Sequence, residues 1–467
     1  MSAIAHSRLH GHEVTFIVID GSETRGRETR TGVVDVARQG VADVRYVGRA
    51  EALLIRRRLQ SCGLPRHVLE AALTPGEIGA SRNLGLVLTS GRPVVFLDDD
   101  ILCDTWSERT AGEGIRFTCR DDPHGWTFFA TRREAQASLN RRPDVSVFST
   151  LGDSLGQSLD DCFHRRGTQI GGDVCNHLVE AMAQKRGRVR VSMLGLAGDS
   201  ARYCSHAVLI RPTGPPDELL KDGDALARAL TFREVRRAAS QMTITHDGIC
   251  MSYAMGLDNE TLLPPFMPVG RGEDTIFGMM LANLDDCALF GHPPYGIVHD
   301  STRPAPFGAD RMPSARQIRL CDLVGGHLES ETFTGASLAC RLSAAGQQIA
   351  EICEADLEAL RQLAATIARR KKAARLAAMQ EYVEPRTAPG HIARRAFEEY
   401  RMELAASLSK PDFYVPIEFS RSSTEDSLRA FRQFLMAFGQ TLSFWPTIWQ
   451  QSKDLDLLPA PVVPAAS

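Results

Sequence analysis

The sequence predicts an α/β protein in which a doubly wound mixed sheet occupies residues 1–330 and an α-helical region follows over residues 331–467. Apolar, β-branched runs that stop at carboxylates, residues 14–19 before Asp20 and 94–97 before Asp98, are the first sign. Buried strands of such sheets deliver polar side chains to the edge where ligands bind. Helix-spaced segments between those runs are the second sign, since strands alternating with helices build wound sheets. The third is a change of grammar near residue 330, after which Ile349, Ile352, Cys353, Leu357, Leu360, Leu363 and Ile367 form one apolar stripe at three- and four-residue intervals.

Along the chain, the strand at 14–19 runs into Asp20-Gly21-Ser22, a turn sequence whose aspartate can bond its own backbone. Helices are expected near residues 51–58 and 67–73, and another over Gly79-Ala80-Ser81-Arg82-Asn83-Leu84-Gly85-Leu86. The turn Thr89-Ser90-Gly91-Arg92 then leads through residues 94–97 into Asp98-Asp99-Asp100. Three adjacent carboxylates repel one another unless a cation answers them. Hard oxygen donors suit Mg2+ or Mn2+, which complete their coordination with substrate phosphates.

Residues 105–250 are less regular and include a polar turn at 198–203, which either contacts an acceptor or turns the chain. Asp258-Asn259-Glu260 is placed to line a pocket. Residues 264–272 are Pro- and Gly-rich loop, whereas Ile276, Phe277, Met280 and Leu281 are helix-spaced. Glu273 and Asp274 therefore fall in a first helical turn, where the dipole favours acids. A short strand ends at Val298-His299-Asp300. In the C-terminal region Arg369-Arg370-Lys371-Lys372 continues the striped helix as a solvated basic face, and Pro385 and Pro389-Gly390 interrupt it. Residues 392–408 and 424–438 form further helices, and the aromatic run 444–449 reads as a seam closing the last helices onto the body. The Pro- and Ala-rich tail after Leu457 is expected to be disordered.

The segment GASRNLGLVLTSGRPVVFLDDD, residues 79–100, resembles the donor-binding core of GT-A-fold nucleotide-sugar glycosyltransferases, family-2-like members above all, in which an R-N-x-G helix leads into a D-x-D strand. The resemblance implies a GT-A-like doubly wound mixed sheet and transfer of a sugar from a nucleotide-diphosphate donor, with Mn2+ or Mg2+ as cofactor. By position it implies Asp98 beside the ribose and base, Asp100 on the metal, Asp99 between them, and Arg82 and Asn83 in the donor-binding helix. It also implies Asp20 at the nucleotide base and His299 as a further metal ligand, with His292 its competitor. Gly272-Glu273-Asp274 matches the place where inverting members keep their catalytic base, which implies Asp274 as that base with Glu273 in support. The family's first strand has no counterpart before His12. Either the chain begins after it, which is favoured, or the strand at Val14 is the first one with a divergent end. Absence of that strand would leave edges unpaired inside the sheet. The interval from D-x-D to base is longer than the family's, so about 105–250 is expected to contain an insertion on the acceptor side. The acceptor, whether peptide, glycan, lipid or small molecule, is not identified, and the C-terminal helices are available for recognising it or for homodimerisation.

Composition narrows the classes. Lysine and arginine total 54 against 57 aspartates and glutamates, without the basic excess of nucleic-acid binders. No apolar run reaches the roughly eighteen residues of a membrane span, and the start lacks the apolar stretch of a secretory signal, so a cytoplasmic protein is expected. Eleven cysteines without a C-x-x-C pair suggest reduced thiols, with Cys103 a small buried residue. Two rivals remain. A haloacid-dehalogenase-type phosphatase would use Asp98 as nucleophile and Asp100 as acid/base, with Lys185 or Lys221 and the pair Asp285-Asp286 in support. A catalytically silent GT-A scaffold would bind a sugar nucleotide or a partner protein.

Overall fold

A computed structural model describes the chain except residues 1, 39–42, 109–111, 113, 120–121, 165–168, 171–173, 175, 203–204, 209–218, 220–222, 247–249, 304–305, 308–317, 384–390, 409–414, 422 and 464–467. Its first elements are α1 (Ser2–Leu9), β1 (Phe16–Ile19), α2 (Gly26–Arg38), β2 (Val44–Val47), α3 (Arg49–Ser61), α4 (Arg66–Leu73), α5 (Ile78–Leu88), β3 (Val94–Leu97) and β4 (Ile101–Ser107). There follow β5 (Ile115–Thr118), β6 (Gly125–Phe129), α6 (Arg132–Ala137), β7 (Asn140–Arg141), α7 (Val147–Gly152), α8 (Leu159–His164), β8 (Gln169–Ile170), α9 (Asn176–Ala183), β9 (Arg188–Met193) and β10 (Gly195–Asp199). Next come α10 (Gly223–Thr231), β11 (Glu234–Ala238), β12 (Met242–Thr245), β13 (Ala254–Leu257), α11 (Glu273–Leu284), β14 (Ala288–His292) and β15 (Tyr295–His299). The chain closes with α12 (Leu320–Leu328), α13 (Leu338–Glu354), α14 (Leu357–Val383), α15 (His391–Leu408) and α16 (Thr424–Leu455).

The protein is mixed α/β with a helical C-terminal region. Among the described residues one mixed sheet has the strand order β3-β13-β9-β14-β12-β5-β8, a second the order β6-β11-β10-β15-β4-β7, and β1 and β2 form a parallel pair of their own. The parallel neighbours β9 and β14 lie at the centre of the first sheet and are almost wholly buried, as parallel strands covered on both faces are. Helix α5 is apolar around most of its circumference and correspondingly buried. Phe266 stacks on Phe277 of α11 at 4.3 Å between ring centroids, joining that helix to the loop before it.

β1 and β3 occupy one layer without a ladder between them among the described residues. Ile17, Ile19, Val94 and Phe96 face the core that α5 joins, and Phe96 and Ile19 both approach Gly85 of that helix. On the opposite face Phe16 meets Phe148 of α7, and Val95 and Leu97 pack on the cluster containing Val147 and Leu151. β1 pairs with β2 and β3 with β13, so each has one ladder and each is only half buried.

The largest apolar cluster runs from Val47 through α3, α4, α5, β9, β13 and α11 to Trp445, Ile448 and Leu457. The C-terminal helices therefore share one core with the central sheet. Helices expected near residues 51–58 and 67–73 are α3 and α4. The long stripe after 349 is instead two helices, broken where Asp356 accepts the Ala359 N–H at 2.7 Å and begins α14. α16 extends well beyond residue 438, through Pro446 to Leu455. Its aromatic run is the expected seam: Trp445 donates to the Leu263 carbonyl and Trp449 to Asn259 Oδ1.

Other expectations fail. The basic run is a solvated face only in part: Arg369 and Arg370 are exposed, although Arg370 also donates to the Gly326 carbonyl, whereas Lys371 pairs with Glu329 and Lys372 is fully buried. The start of the tail is docked, with Arg45 reaching the Pro459 carbonyl and the Val462 N–H bonding Val44. Cys119 is disulfide-bonded, against the expectation of reduced thiols throughout. Pro385, Pro389 and Gly390 lie outside the described residues. No helix among the described residues is long and apolar enough to cross a membrane.

Candidate functional site

β3 ends where the Asp98 N–H bonds the Tyr253 carbonyl of the strand's one ladder partner, so the three aspartates leave the sheet at its rim. Asp99 is exposed, and Asp98 and Asp100 are half-buried. Arg82 enters this rim from α5 with 8% of its side chain exposed, donating through one nitrogen to Asp98 Oδ1 at 3.0 Å and through another to Glu273 Oε1. Its guanidinium lies 5.7 Å from the centre of the Phe266 ring. Burial disfavours its charge, but Asp98, Glu273 and Asp274 outweigh that and hold its pKa above the ordinary value. Burial also pushes the Asp98 and Glu273 carboxyls upward, each opposed by Arg82.

Asn83, the neighbour of Arg82, is fully buried. Its amide donates to the carbonyls of Ala72 and Phe266, and its oxygen accepts the Phe266 N–H at 2.7 Å. Rather than facing a donor, Asn83 fixes the loop that delivers α11. Gly79, one turn earlier, permits the same approach, since a Cβ there would collide with the Met267 carbonyl.

α11 starts at Glu273. Asp274 is half-buried, accepts the Thr275 N–H on Oδ1 at 2.8 Å, and accepts the Ser252 N–H and hydroxyl on Oδ2 at 3.3 and 3.1 Å. Its charge is close enough to raise the pKa values of Asp98 and Glu273. Residues from α5, β3 and α11 thus meet at one carboxylate-rich rim with a single buried guanidinium through it.

His299 completes the rim from β15. Its Nδ1–H donates to the Asp199 carbonyl at 2.6 Å, which leaves Nε2 facing Asp100 Oδ2 at 2.9 Å. Burial disfavours the imidazolium, yet the bonds to Asp100 and Asp199 raise its pKa overall, while the His299 bond holds Asp100 below the usual carboxylate range. A ring nitrogen fixed by a backbone carbonyl is the outer-shell arrangement that orients metal-ligating histidines; the other nitrogen, which would take the metal, is bonded to Asp100. Among the described residues no group of three or more His, Cys, Asp or Glu side chains is arranged to hold a metal ion. Asp100 and His299 offer an O/N donor pair, which fits a small divalent ion that takes its remaining ligands from water and phosphate.

His292, the competitor, is fully buried, bonds Thr245 and packs edge-on against His124 at 5.1 Å, inside the protein. Asp20 ends β1 as expected, but both its oxygens are engaged, Oδ1 by the Ser22 N–H at 2.9 Å and Oδ2 by the Tyr46 hydroxyl at 2.7 Å. Those bonds outweigh burial and lower its pKa. Of the stretch placed to line a pocket, Asp258 is buried against Arg188 and Arg190, Asn259 bonds Leu86, Thr89 and Trp449, and the exposed Glu260 pairs with Arg188.

A second charged group supports His299. The Asp199 carboxylate, fully buried, binds Arg233 at 3.0 Å and Arg303 at 3.0 Å, and across the ladder Glu234 pairs with Arg132, which also holds Asp300 and the Ser301 carbonyl. Gly198, at φ +107°, lets β10 lie against β15, because a Cβ there would strike the His299 carbonyl. Arg303 is partly exposed, and its charge further lowers Asp100. The polar turn at 198–203 announced only part of this cluster. Arg132, Glu234 and Arg303 carry no motif and meet only in space, and Tyr203 lies outside the described residues. Compared with known families, curated proteins and solved structures, the chain matches none.

Proposed function

We propose that the protein is a metal-dependent glycosyltransferase of the GT-A type that moves a sugar from a nucleotide-diphosphate donor to an acceptor hydroxyl with inversion. Arg82 ties Asp98 to Glu273, the neighbour of Asp274, across nearly two hundred residues of chain, and Asp98 lies close enough to Asp274 and to Asp100, the partner of His299, to feel both charges; this convergence carries the reading. A divalent ion on Asp100 and His299 would supply positive charge for the departing diphosphate. Asp274, kept in one orientation by Ser252 and Thr275, takes the proton of the acceptor hydroxyl as its oxygen bonds the anomeric carbon and the bond from that carbon to the diphosphate breaks. Arg82 acts behind them: it aims Glu273 and Asp98 and offsets their charge, so it is a positioning residue rather than a donor contact.

The phosphatase reading is disfavoured by distance. Asp285 and Asp286 lie beyond the far end of α11, a helix of 12 residues, about 18 Å from Asp274 at 1.5 Å per residue. They face Arg190 and Arg341. Lys185 pairs with Asp160 at the surface, and Lys221 lies outside the described residues.

The test is donor turnover. The protein is incubated with Mn2+ and a panel of UDP- and GDP-sugars, and release of nucleoside diphosphate is followed with and without added acceptors. Asp274→Asn should abolish transfer while leaving calorimetric donor affinity within about threefold, and Asp100→Ala should remove the metal dependence of donor binding. Undiminished transfer by Asp274→Asn removes it as base. Donor binding without any turnover favours the silent scaffold, and hydrolysis of an aryl phosphate favours the phosphatase.

A further inference from the structure

The N-terminal helix is held on the body by histidines that the proposed chemistry does not use. His6, buried on α1, accepts the backbone N–H of Val147 on Nε2 at 2.9 Å, so the bond exists only while that nitrogen keeps its lone pair. His12 Nε2 meets the hydroxyls of Ser146 and Ser149 at 2.6 and 3.2 Å, just where α7 begins. His10 lies between them, with ring centroids 4.5 Å from His6 and 6.2 Å from His12. Its Nε2 is buried without a partner among the described residues. Phe148 of α7 packs on both His6 and His12.

We propose that α1 is an acid-released clasp: docked while His6 is neutral, and ejected when its Nε2 takes up a proton. Two effects act in the same direction. A proton on His6 Nε2 destroys its bond to Val147, and it places a charge on a buried ring. Charged groups on the surrounding elements do not cancel this. Asp104 on β4 favours a protonated His6 but is paired with Arg141, and Asp144, ahead of α7, is paired with Arg142. α7 itself carries no charged residue, and Arg8 and Glu13 flank the histidines on their own segment.

Burial, followed by His10 and His12, lowers the His6 pKa from 6.5 to about 4. A histidine depressed in the docked state is protonated first in the released state, so docking is full above pH 6.5 and is lost as pH falls toward 4. For one proton the loss is at most about tenfold in the docking equilibrium per pH unit within that window.

What α1 covers gives the release its meaning. Ala3 packs on the cluster that includes Val95, Leu97 and Ile101, beneath the strand that carries Asp98 and Asp100. Ejection uncovers that face. Any effect on turnover rests on the function proposed above, whereas the docking equilibrium does not, so the two can fail separately.

Hydrogen exchange of the full-length protein between pH 7.5 and 4.5, corrected for intrinsic rates, tests the clasp. Protection of peptides covering residues 2–12 and 146–149 should fall at least tenfold between pH 6.5 and 4.5 while β9 keeps its protection. His6→Gln retains an acceptor for the Val147 N–H but does not titrate, and should flatten that response. Protection of α1 that ignores pH, that falls only together with β9, or that falls equally in His6→Gln overturns the proposal. Should His6→Gln fail to dock at pH 7.5, the wild-type profile alone decides.

Discussion

Arg82 is the residue on which the rim depends. Two carboxylates from distant parts of the chain share its guanidinium, and Glu273 has only 6% of its side chain exposed. Replacing Arg82 with Met should destabilise the protein by about 3–5 kcal/mol, the cost of leaving a buried charge unpaired, with most of it from Glu273 because Asp98 is 41% exposed. Urea unfolding measures this, and a loss below about 1 kcal/mol would mean that Glu273 is not charged in the folded protein. Arg82→Lys should recover only part of the loss, since an ammonium lacks the planar fork that spans both partners. The sequence made the acids and Arg82 legible as candidates, because a carboxylate cluster after an apolar strand has few cheap explanations. It gave no sign that Asn83 bonds only backbone, since an amide facing a loop and one facing a ligand are spelled the same way. Arg132, Arg233 and Glu234 were invisible for a related reason: a charge becomes informative only once its partner is known.

Among the elements, α16 packs on α13, α4 and α5. Trp445 is fully buried, and its indole N–H caps the Leu263 carbonyl at 2.7 Å, next to the loop that delivers Asp274. Trp445→Ala should cost about 3–5 kcal/mol, read as a lowered urea midpoint with an unchanged slope; a cost under about 1 kcal/mol would show that the seam does not hold the helix. Existence and type of the helices were readable from three- and four-residue spacing, but their ends were not. The break between α13 and α14 rests on a single aspartate cap, and the extension of α16 through Pro446 is decided by packing against α4 and α5, which periodicity does not contain. The same limit applies to the basic run on α14, where Lys372 points inward at a position that charge alone assigns to solvent.

On the scale of the whole molecule, the unpaired neighbours β1 and β3 contrast with the closed centre of the sheet. Among the described residues β1 and β3 have one ladder each. Amides of residues 16–19 should exchange on the order of a hundredfold faster than those of residues 188–193, whose strand has ladders on both sides. Equal protection would mean that something else seals the gap. The number of sheets was beyond sequence patterning, because β10 to β15 are short runs of four or five residues whose partners are fixed by crossovers rather than by local spacing.

The shared core also constrains how the chain is made. The helix that roofs α4 and α5 begins only at Thr424, so it is translated long after the helices it covers. Until it emerges from the ribosome, the faces of α4 and α5 that meet it lack that cover, and the nascent chain presents them to its surroundings. A chain truncated before Thr424 should therefore collect in the insoluble fraction rather than fold as a shortened protein.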